Sequence, residues 1–170
     1  MKEYPIFLIK AVAVVLLLTL LQGCEKKSVA VDKAFPDLKL QNLDGSEMKV
    51  SDLQGKFVVL KLWATWCQIC IETEPQFKAF IQKLDSNEVV VAAISVDKDI
   101  NMLQEYLLDH PSAQLQLIDR NMEQSNKLLG VNMIPQVFIL DRQGVLRYQF
   151  TGRTLWADEH VQMILKMAKL

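Results

Sequence analysis

The feature that most constrains this chain is a Cys-x-x-Cys pair, Cys67 and Cys70, placed directly behind an apolar run. The run, residues 57–64, holds a single charge at Lys61, and a continuous apolar segment of this kind is typical of a strand buried on both faces. Apolar residues then recur at the spacing of an amphipathic helix, at Phe77, Phe80, Ile81 and Leu84. We therefore expect the cysteines to lie where a central strand ends and a helix, residues 70–84, begins.

The remaining pattern alternates strands with helices. Further strands are predicted at residues 38–41, 48–50, 89–96, 115–118, 136–140 and 145–150. Helical segments are predicted at residues 51–55, 99–108, 121–129 and 156–169. Pro75 should kink the helix that follows the cysteines, and a turn at residues 141–144 should join the last two strands as a hairpin. This alternation predicts an α/β fold with a mixed, mostly parallel central sheet flanked by helices, and with an N-terminal β-hairpin.

The first 24 residues are predicted to be a lipoprotein-type signal peptide. Residues 11–21 carry no charge, follow two lysines, and fall short of the about 20 apolar residues that a spanning helix needs. The sequence Leu21-Gln22-Gly23-Cys24 resembles a bacterial lipobox, in which the cysteine is lipidated and becomes the first residue of the mature protein. The alternative is an uncleaved signal anchor in which Cys24 is an ordinary thiol.

Either arrangement exports the domain and holds it at a membrane of the bacterial cell envelope. Residues 25–33 are short, polar and charged and are predicted to be a tether, so the folded domain is expected to span residues 34–170. The several lipid chains of a bacterial lipoprotein would anchor it firmly, whereas a single chain holds a protein only marginally. The net charge of −1 gives no electrostatic reason to expect nucleic acid as a partner.

Once Cys24 is set aside, the exported domain has two cysteines, both in one motif. A disulfide that closes so small a loop contributes little chain-entropy stabilisation, so a purely structural role is not expected. At the start of a helix, free backbone N–H groups and the helix dipole favour the thiolate and lower the pKa of Cys67. That thiolate can attack a disulfide of another protein, and Cys70 can then resolve the mixed disulfide. The pair is therefore predicted to exchange disulfides.

A zinc half-site is an alternative use of such a pair. A structural zinc usually takes four nitrogen or sulfur ligands, but the chain has no second Cys-x-x-Cys motif. Its two histidines, His110 and His160, lie on separate predicted elements. We expect no metal at the pair, and no cofactor.

Two segments, residues 56–75 and 130–144, resemble the thioredoxin superfamily, and in particular the membrane-tethered branch of TlpA, ResA and DsbE/CcmG proteins that includes cytochrome c maturation factors. Residues 63–70 match the active-site strand and motif of that branch, and residues 130–141 match its cis-proline segment. The resemblance implies a cis peptide at Ile134–Pro135 beside the cysteines, where the backbone pairs with a bound substrate. It also implies protein thiol or disulfide substrates, a reductive direction, and a membrane electron donor of the DsbD kind.

Three positions depart from the branch. Ile69 replaces the proline that often precedes the second cysteine, and Lys61 occupies the strand position of a buried acid or asparagine. Thr73 replaces a glutamate and is flanked by Glu72 and Glu74. Lys61, Glu72 and Glu74 are therefore candidates for proton transfer. The alternatives are that the lysine pairs with a carboxylate or reaches an edge, and that both glutamates are solvated helix charges.

Two residues near the motif have more than one interpretation. Trp66 is expected to shield Cys67 and contact the partner, with plain packing as the alternative. Asp97 follows a predicted strand and precedes a predicted helix, so it is expected to be an N-cap rather than a catalytic residue.

Two rival functions use related folds. A peroxiredoxin-type peroxide reductase centres on a Thr-x-x-Cys arrangement with an arginine, but Thr65 is only two residues before Cys67. A copper chaperone of the SCO type separates its cysteines by three residues and adds a histidine, whereas the separation here is two. Disulfide exchange is favoured over both.

Overall fold

The structure, a computed structural model, describes residues 29–169. The predicted signal peptide, the lipobox with Cys24 and the first part of the predicted tether lie outside the described residues. Among the residues it describes, none of the helices has the length and apolar character needed to cross a membrane.

Seven strands and four α-helices make up the described domain. The strands are β1 (Lys39–Asn42), β2 (Glu47–Lys49), β3 (Phe57–Trp63), β4 (Val89–Ser95), β5 (Leu115–Ile118), β6 (Gln136–Leu140) and β7 (Leu146–Thr151). The helices are α1 (Gln68–Glu72), α2 (Glu74–Ile81), α3 (Ile100–Asp109) and α4 (Asp158–Met167). A 3₁₀ turn at Val50–Leu53 follows β2. The strands form one sheet in the order β2-β1-β5-β4-β3-β6-β7.

Parallel pairing is confined to the middle of the sheet, where β4 pairs with both β3 and β5. The other four pairings among the described strands are antiparallel. The predicted α/β fold with a mixed sheet and an N-terminal hairpin is confirmed, but the expectation that the sheet is mostly parallel is wrong. Tight turns account for the β1–β2 and β6–β7 pairs, because a short turn can join only antiparallel neighbours. The other two antiparallel pairs, β1–β5 and β3–β6, join strands that are distant in sequence.

β3 is buried along its whole length and separates two clusters of apolar side chains. From Phe57 to Leu60, successive residues enter different clusters, because successive side chains of a strand point to opposite faces. One cluster takes Val58, Leu60 and Leu62, and the other takes Phe57 and Val59. The second is completed from α2 and α4 by Phe77, Phe80, Val161 and Ile164. The prediction of a central strand buried on both faces is confirmed.

The helix predicted at residues 70–84 is two helices in the structure, α1 and α2, which meet at Thr73. Pro75 lies in the first turn of α2, where a missing N–H costs nothing. In one continuous helix its ring would clash with the carbonyl of Ile71. The expected kink is therefore a full break.

The helix predicted at residues 121–129 is also irregular. A 3₁₀ turn at Arg120–Met122 is followed by a π-helical turn at Ser125–Leu129, which ends at Gly130. Asn121 has a φ of 57°, in the left-handed region, so the chain cannot continue as an α-helix through it.

The end of the predicted tether contacts the domain. The Asp32 N–H donates to the carbonyl of Leu146 at 2.8 Å, and the Leu146 N–H donates to the carbonyl of Lys33 at 2.9 Å. Val29 is 9% exposed and packs with the apolar cluster that contains Leu60. Contacts with the sheet therefore begin before residue 34.

Candidate active site

Cys67 and Cys70 are joined by a disulfide just beyond the carboxyl end of β3, and their Cα atoms lie 5.2 Å apart. Cys67 is the N-cap residue of α1, and its sulfur accepts a hydrogen bond from the backbone N–H of Cys70 at 3.2 Å. Cys67 is 7% exposed and Cys70 is 1% exposed. The predicted position of the pair at a strand-to-helix junction is confirmed, and Cys67 is its more accessible member.

A tight turn connects β3 to Cys67. The Cys67 N–H donates to the carbonyl of Ala64 at 3.1 Å, which places Thr65 and Trp66 at the two central positions of a β-turn. Trp66 is 61% exposed. The Thr65 N–H and hydroxyl both donate to the carboxylate of Asp97, at 3.1 and 2.7 Å. The turn is therefore held from the neighbouring strand as well as from its own ends.

The expectation that Asp97 caps the next helix is wrong. Asp99 is the N-cap of α3, and its side chain accepts the Asn101 N–H at 2.9 Å. An N-cap must directly precede the first helical residue, which here is Ile100. Asp97 is 2% exposed and accepts hydrogen bonds from Thr65 and, at 2.7 Å, from the Ser95 hydroxyl. Two aspartates lie between β4 and α3 in the sequence, and only the observed bounds of these elements show which of them caps the helix.

The segment implied to contain a cis-proline lies at the same edge of the sheet. The Ile134–Pro135 peptide bond is cis, as the resemblance implies. Gln136 opposes Leu62 in the antiparallel β3–β6 pair, so β6 starts where β3 ends. Ile134 packs against the apolar cluster that contains Cys67 and Cys70. The topology thus brings the two sequence motifs together.

Lys61 is buried and paired. It is 1% exposed, and its ammonium lies 2.5 Å from a carboxylate oxygen of Glu74 and 4.1 Å from the centre of the Phe77 ring. Burial lowers the pKa of Lys61, while the charge and hydrogen bond of Glu74 oppose that shift. Of the interpretations open from the sequence, pairing with a carboxylate is the one that the geometry shows.

A small polar cavity adjoins this ion pair. It has a volume of about 30 Å³, lies between α2 and α3, and is lined by Lys61, Glu74, Trp63, Tyr106 and Gln116 among others. Within residues 29–169, neither the indole N–H of Trp63 nor the amide oxygen of Gln116 has a hydrogen-bond partner. The volume suffices for a water molecule, which needs about 10–15 Å³ and polar partners. Sequence reasoning did not identify Gln116, because a glutamine in a short strand carries no signal until its neighbours are known.

Glu72 and Thr73 have partners of their own. Glu72 is exposed and ion-paired with Arg153. A hydrogen bond from Gln68, helped by Arg153, lowers the pKa of Glu72. The Thr73 hydroxyl donates to the carbonyls of Ile69 and Cys70, at 2.8 and 3.2 Å. Glu72 is thus bound to Arg153, and Thr73 to backbone carbonyls of α1. None of these contacts reaches a cysteine sulfur.

A groove of about 340 Å³ runs beside Trp66 along α3, and its lining includes Met102, Glu105, Asp109 and His110. Met102 is 53% exposed, although the helical pattern places it on the apolar face of α3.

His110 stacks on Tyr106 and is remote in sequence from His160, which stacks on Phe150. Nowhere in residues 29–169 do three or more His, Cys, Asp or Glu side chains come together as a metal site.

Comparisons with known proteins agree with this geometry. Residues 31–149 match the AhpC/TSA family. The thiol-disulfide oxidoreductase ResA of Geobacillus thermodenitrificans (strain NG80-2) is 28% identical over 142 residues, 82% of this chain and 81% of the relative. The thiol:disulfide interchange protein DsbE of Pseudomonas fluorescens biotype C is 31% identical over 161 residues, 91% of this chain and 88% of the relative. A crystal structure described as a DsbE protein from Chlorobium tepidum superposes with a TM-score of 0.74 at 27% identity, covering 83% of this chain and 99% of that one.

Proposed function

The chain belongs to the AhpC/TSA family and is a thiol–disulfide oxidoreductase, and from this premise we propose that Cys67 and Cys70 are the couple that exchanges electrons with its protein substrates. The observation that carries the proposal is the asymmetry of the pair. The Cys70 N–H points at the sulfur of Cys67, an arrangement that favours a thiolate there. Cys70 is the more deeply buried of the two and acts second.

The proposed reaction balances as an exchange of two electrons. The reduced Cys67 thiolate attacks one sulfur of a partner disulfide, so that the partner S–S bond breaks, a mixed disulfide forms and a partner thiolate leaves. Cys70 then gives up its proton and attacks the sulfur of Cys67. The mixed disulfide breaks, the second partner thiolate leaves, and the Cys67–Cys70 disulfide forms.

The ion pair of Lys61 and Glu74 is the proposed destination of the Cys70 proton. Glu74 is the first residue of α2, directly after the break at Thr73 that ends the helix carrying Cys70. It is paired with a buried lysine beside a cavity large enough for water. Glu72 is the weaker candidate, because its carboxylate is already bound by Arg153 at the surface.

Three residues are proposed to contact the substrate. Trp66 presents an exposed indole next to Cys67. Ile134 and Pro135 lie at the sheet edge where β3 ends, and their backbone would pair with an extended segment of the bound protein. Met133, 58% exposed, extends the same apolar surface.

The location and the reaction partners are proposed from the N-terminal sequence and the resemblance. Cys24 is proposed to carry lipid after cleavage of residues 1–23, with residues 25–33 linking it to a domain at residues 34–170 in the periplasm or outside the cytoplasmic membrane. The proposed direction is reductive, with electrons from a membrane donor of the DsbD kind. Candidate substrates are disulfide-bonded apocytochrome c and other envelope proteins with wrongly oxidised cysteines.

A trapping experiment tests the redox couple. In the full chain, Cys70→Ala removes the resolving thiol, so mixed disulfides on Cys67 should accumulate in vivo and disappear on treatment with dithiothreitol. Cys67→Ala is the matched control and should trap nothing. Failure of Cys70→Ala to yield any disulfide-linked protein would overturn the proposal.

Peroxide reduction is tested with the same protein. The Thr65 hydroxyl is committed to Asp97 at 2.7 Å, which is not the support that a peroxide-reducing thiolate needs. We expect the purified chain to reduce protein disulfides and to consume no peroxide when thiol reductant is the only other substrate. Rapid peroxide turnover would favour the peroxidase instead.

A further inference from the structure

The carboxylate of Asp97 is buried, and both of its oxygens accept hydrogen bonds. Asp97 is 2% exposed and follows β4 at the edge of the sheet that carries the disulfide. One oxygen accepts the Thr65 hydroxyl at 2.7 Å, and the other accepts the Thr65 N–H at 3.1 Å and the Ser95 hydroxyl at 2.7 Å. Two of its three donors thus belong to one residue of the active-site turn.

Thr65 is the first central residue of the Ala64–Cys67 turn, and that turn sets the direction in which the chain enters α1. Fixing both the N–H and the side chain of Thr65 leaves the turn little freedom. The position of the Cys67 sulfur at the Cys70 N–H and the outward position of the Trp66 indole both depend on this turn.

We propose that Asp97 is a positioning residue of the redox centre, which acts through Thr65 to hold the Ala64–Cys67 turn and so to aim the Cys67 sulfur and the Trp66 indole at the partner. This inference rests on the proposed role of Cys67 as the attacking cysteine.

A merely structural role is the competing explanation, and the sheet argues against it. β3 and β4 are already paired without a break from Phe57 and Val89 to Trp63 and Ser95. The Val96 N–H continues that ladder to the carbonyl of Trp63 at 2.9 Å. The strands therefore do not need Asp97 to stay together, whereas in residues 29–169 no other side chain is hydrogen-bonded to Thr65.

Asp119 provides a matched control. It is 3% exposed, follows the parallel strand β5, and accepts the N–H groups of Gln124 and Ser125 together with the Ser125 hydroxyl. The hydrogen bonds of its side chain stay within its own loop. Asp119→Asn should therefore lower the free energy of unfolding about as much as Asp97→Asn does, without changing the chemistry at Cys67.

The experiment uses the full chain in detergent with Cys24→Ser and Cys70→Ser, so that Cys67 is the single thiol. The rate of its alkylation by iodoacetamide is measured against pH. Asp97→Asn and Thr65→Val should each slow alkylation at pH 7 by about tenfold, because small displacements of a reacting group are costly in rate. Thr65→Ser keeps the hydroxyl and should restore the parent rate, and Asp119→Asn should stay within about twofold of it.

The pH at which the alkylation rate is half-maximal, the alkylation midpoint, distinguishes a positioning role of Asp97 from an effect of its charge. If Asp97 acts through geometry, both Asp97→Asn and Thr65→Val raise the alkylation midpoint, since the Cys70 N–H no longer stabilises the thiolate, and the double variant is no worse than Asp97→Asn alone. If it acts only through its negative charge, Asp97→Asn lowers the midpoint and Thr65→Val leaves it unchanged, which overturns the inference. The other titratable groups that line the groove beside Thr65 are the same in all variants; they are Glu105, Tyr106, Asp109 and His110.

The parent protein tests the underlying function separately. A parent Cys67 that titrates and reacts like free cysteine contradicts the proposed role of Cys67. A parent Cys67 that is activated and stays so in Asp97→Asn contradicts only the role of Asp97. Trp66 gives an independent readout, because loss of the turn should change the quenching of its exposed indole by acrylamide in Thr65→Val but not in Asp119→Asn.

Discussion

Replacing Glu74 by glutamine should be among the most destabilising single charge changes in this domain. Lys61 is 1% exposed, and Glu74 is the carboxylate that pairs with its ammonium. Removing one partner of a buried ion pair typically costs about 3–5 kcal/mol, because the other charge stays buried without compensation. We expect the lower end, about 3 kcal/mol, because the glutamine amide oxygen can still accept a hydrogen bond from Lys61.

Two further variants isolate the cause. Glu72→Gln removes a glutamate two residues away whose partner, Arg153, is 65% exposed in its side chain, and we expect no measurable loss of stability. The double variant Lys61→Met with Glu74→Gln removes both charges of the pair and should return to within about 1 kcal/mol of the parent. The assay is urea unfolding of the oxidised protein followed by circular dichroism, with the slope of the transition checked for constancy.

The lowered pKa of Lys61 determines how the free energy of unfolding changes with pH. Burial holds the pKa of Lys61 below its ordinary value of 10.5. Between that lowered pKa and 10.5 the unfolded chain binds more protons than the folded one, so the free energy of unfolding rises with pH in this window. Without Glu74 the folded pKa falls further, so the rise should begin at a lower pH and the deficit of Glu74→Gln should shrink as the solution becomes alkaline. A deficit no larger than that of Glu72→Gln, or one that is flat with pH, would refute the reasoning.

Two further predictions concern the surface and the N-terminus. Trp66→Ala should slow reduction of a protein disulfide by about tenfold and leave reaction with a small aromatic disulfide nearly unchanged, since exposed aromatic anchors act through partner contact. The control Leu108→Ala removes another exposed apolar side chain and should alter neither rate. An equal loss of rate with both substrates of Trp66→Ala would contradict the contact role of Trp66. Cys24→Ser should abolish incorporation of a labelled fatty acid in vivo and release the chain from the membrane fraction unless the signal is retained as an anchor, and label that persists in Cys24→Ser would contradict lipidation at that residue.

The sequence was most informative where one local rule acts alone. The apolar run before the cysteines predicted β3, and the resemblance in two motifs predicted a thioredoxin-like fold and the cis peptide at Ile134–Pro135, all of which are confirmed. The sequence was least informative where contacts between different elements determine the role of a residue. The partner of Lys61 could not be chosen from the sequence, because Lys61 lies on β3 and Glu74 on α2, and the sequence does not show how these elements pack.

The roles of the two aspartates before α3 show the same limit. Local spacing allows either Asp97 or Asp99 to cap the helix, and the end of β4 decides between them. The mostly parallel sheet was expected because the central units alternate strand and helix, yet β1 pairs antiparallel with β5 and β6 pairs antiparallel with β3. Pairing of distant segments, unlike the periodicity within one, leaves no mark in a single sequence.

Two tryptophans three positions apart lie in opposite environments. Trp63 is 6% exposed and lines the polar cavity beside Lys61, and within residues 29–169 its indole N–H has no hydrogen-bond partner. Trp66 is 61% exposed at the rim of the groove. Their indole protons should therefore exchange with solvent at very different rates and give separate signals in nuclear magnetic resonance spectra. Without any introduced label, one signal reports on the interior beneath the disulfide and the other on the surface that is proposed to contact a partner.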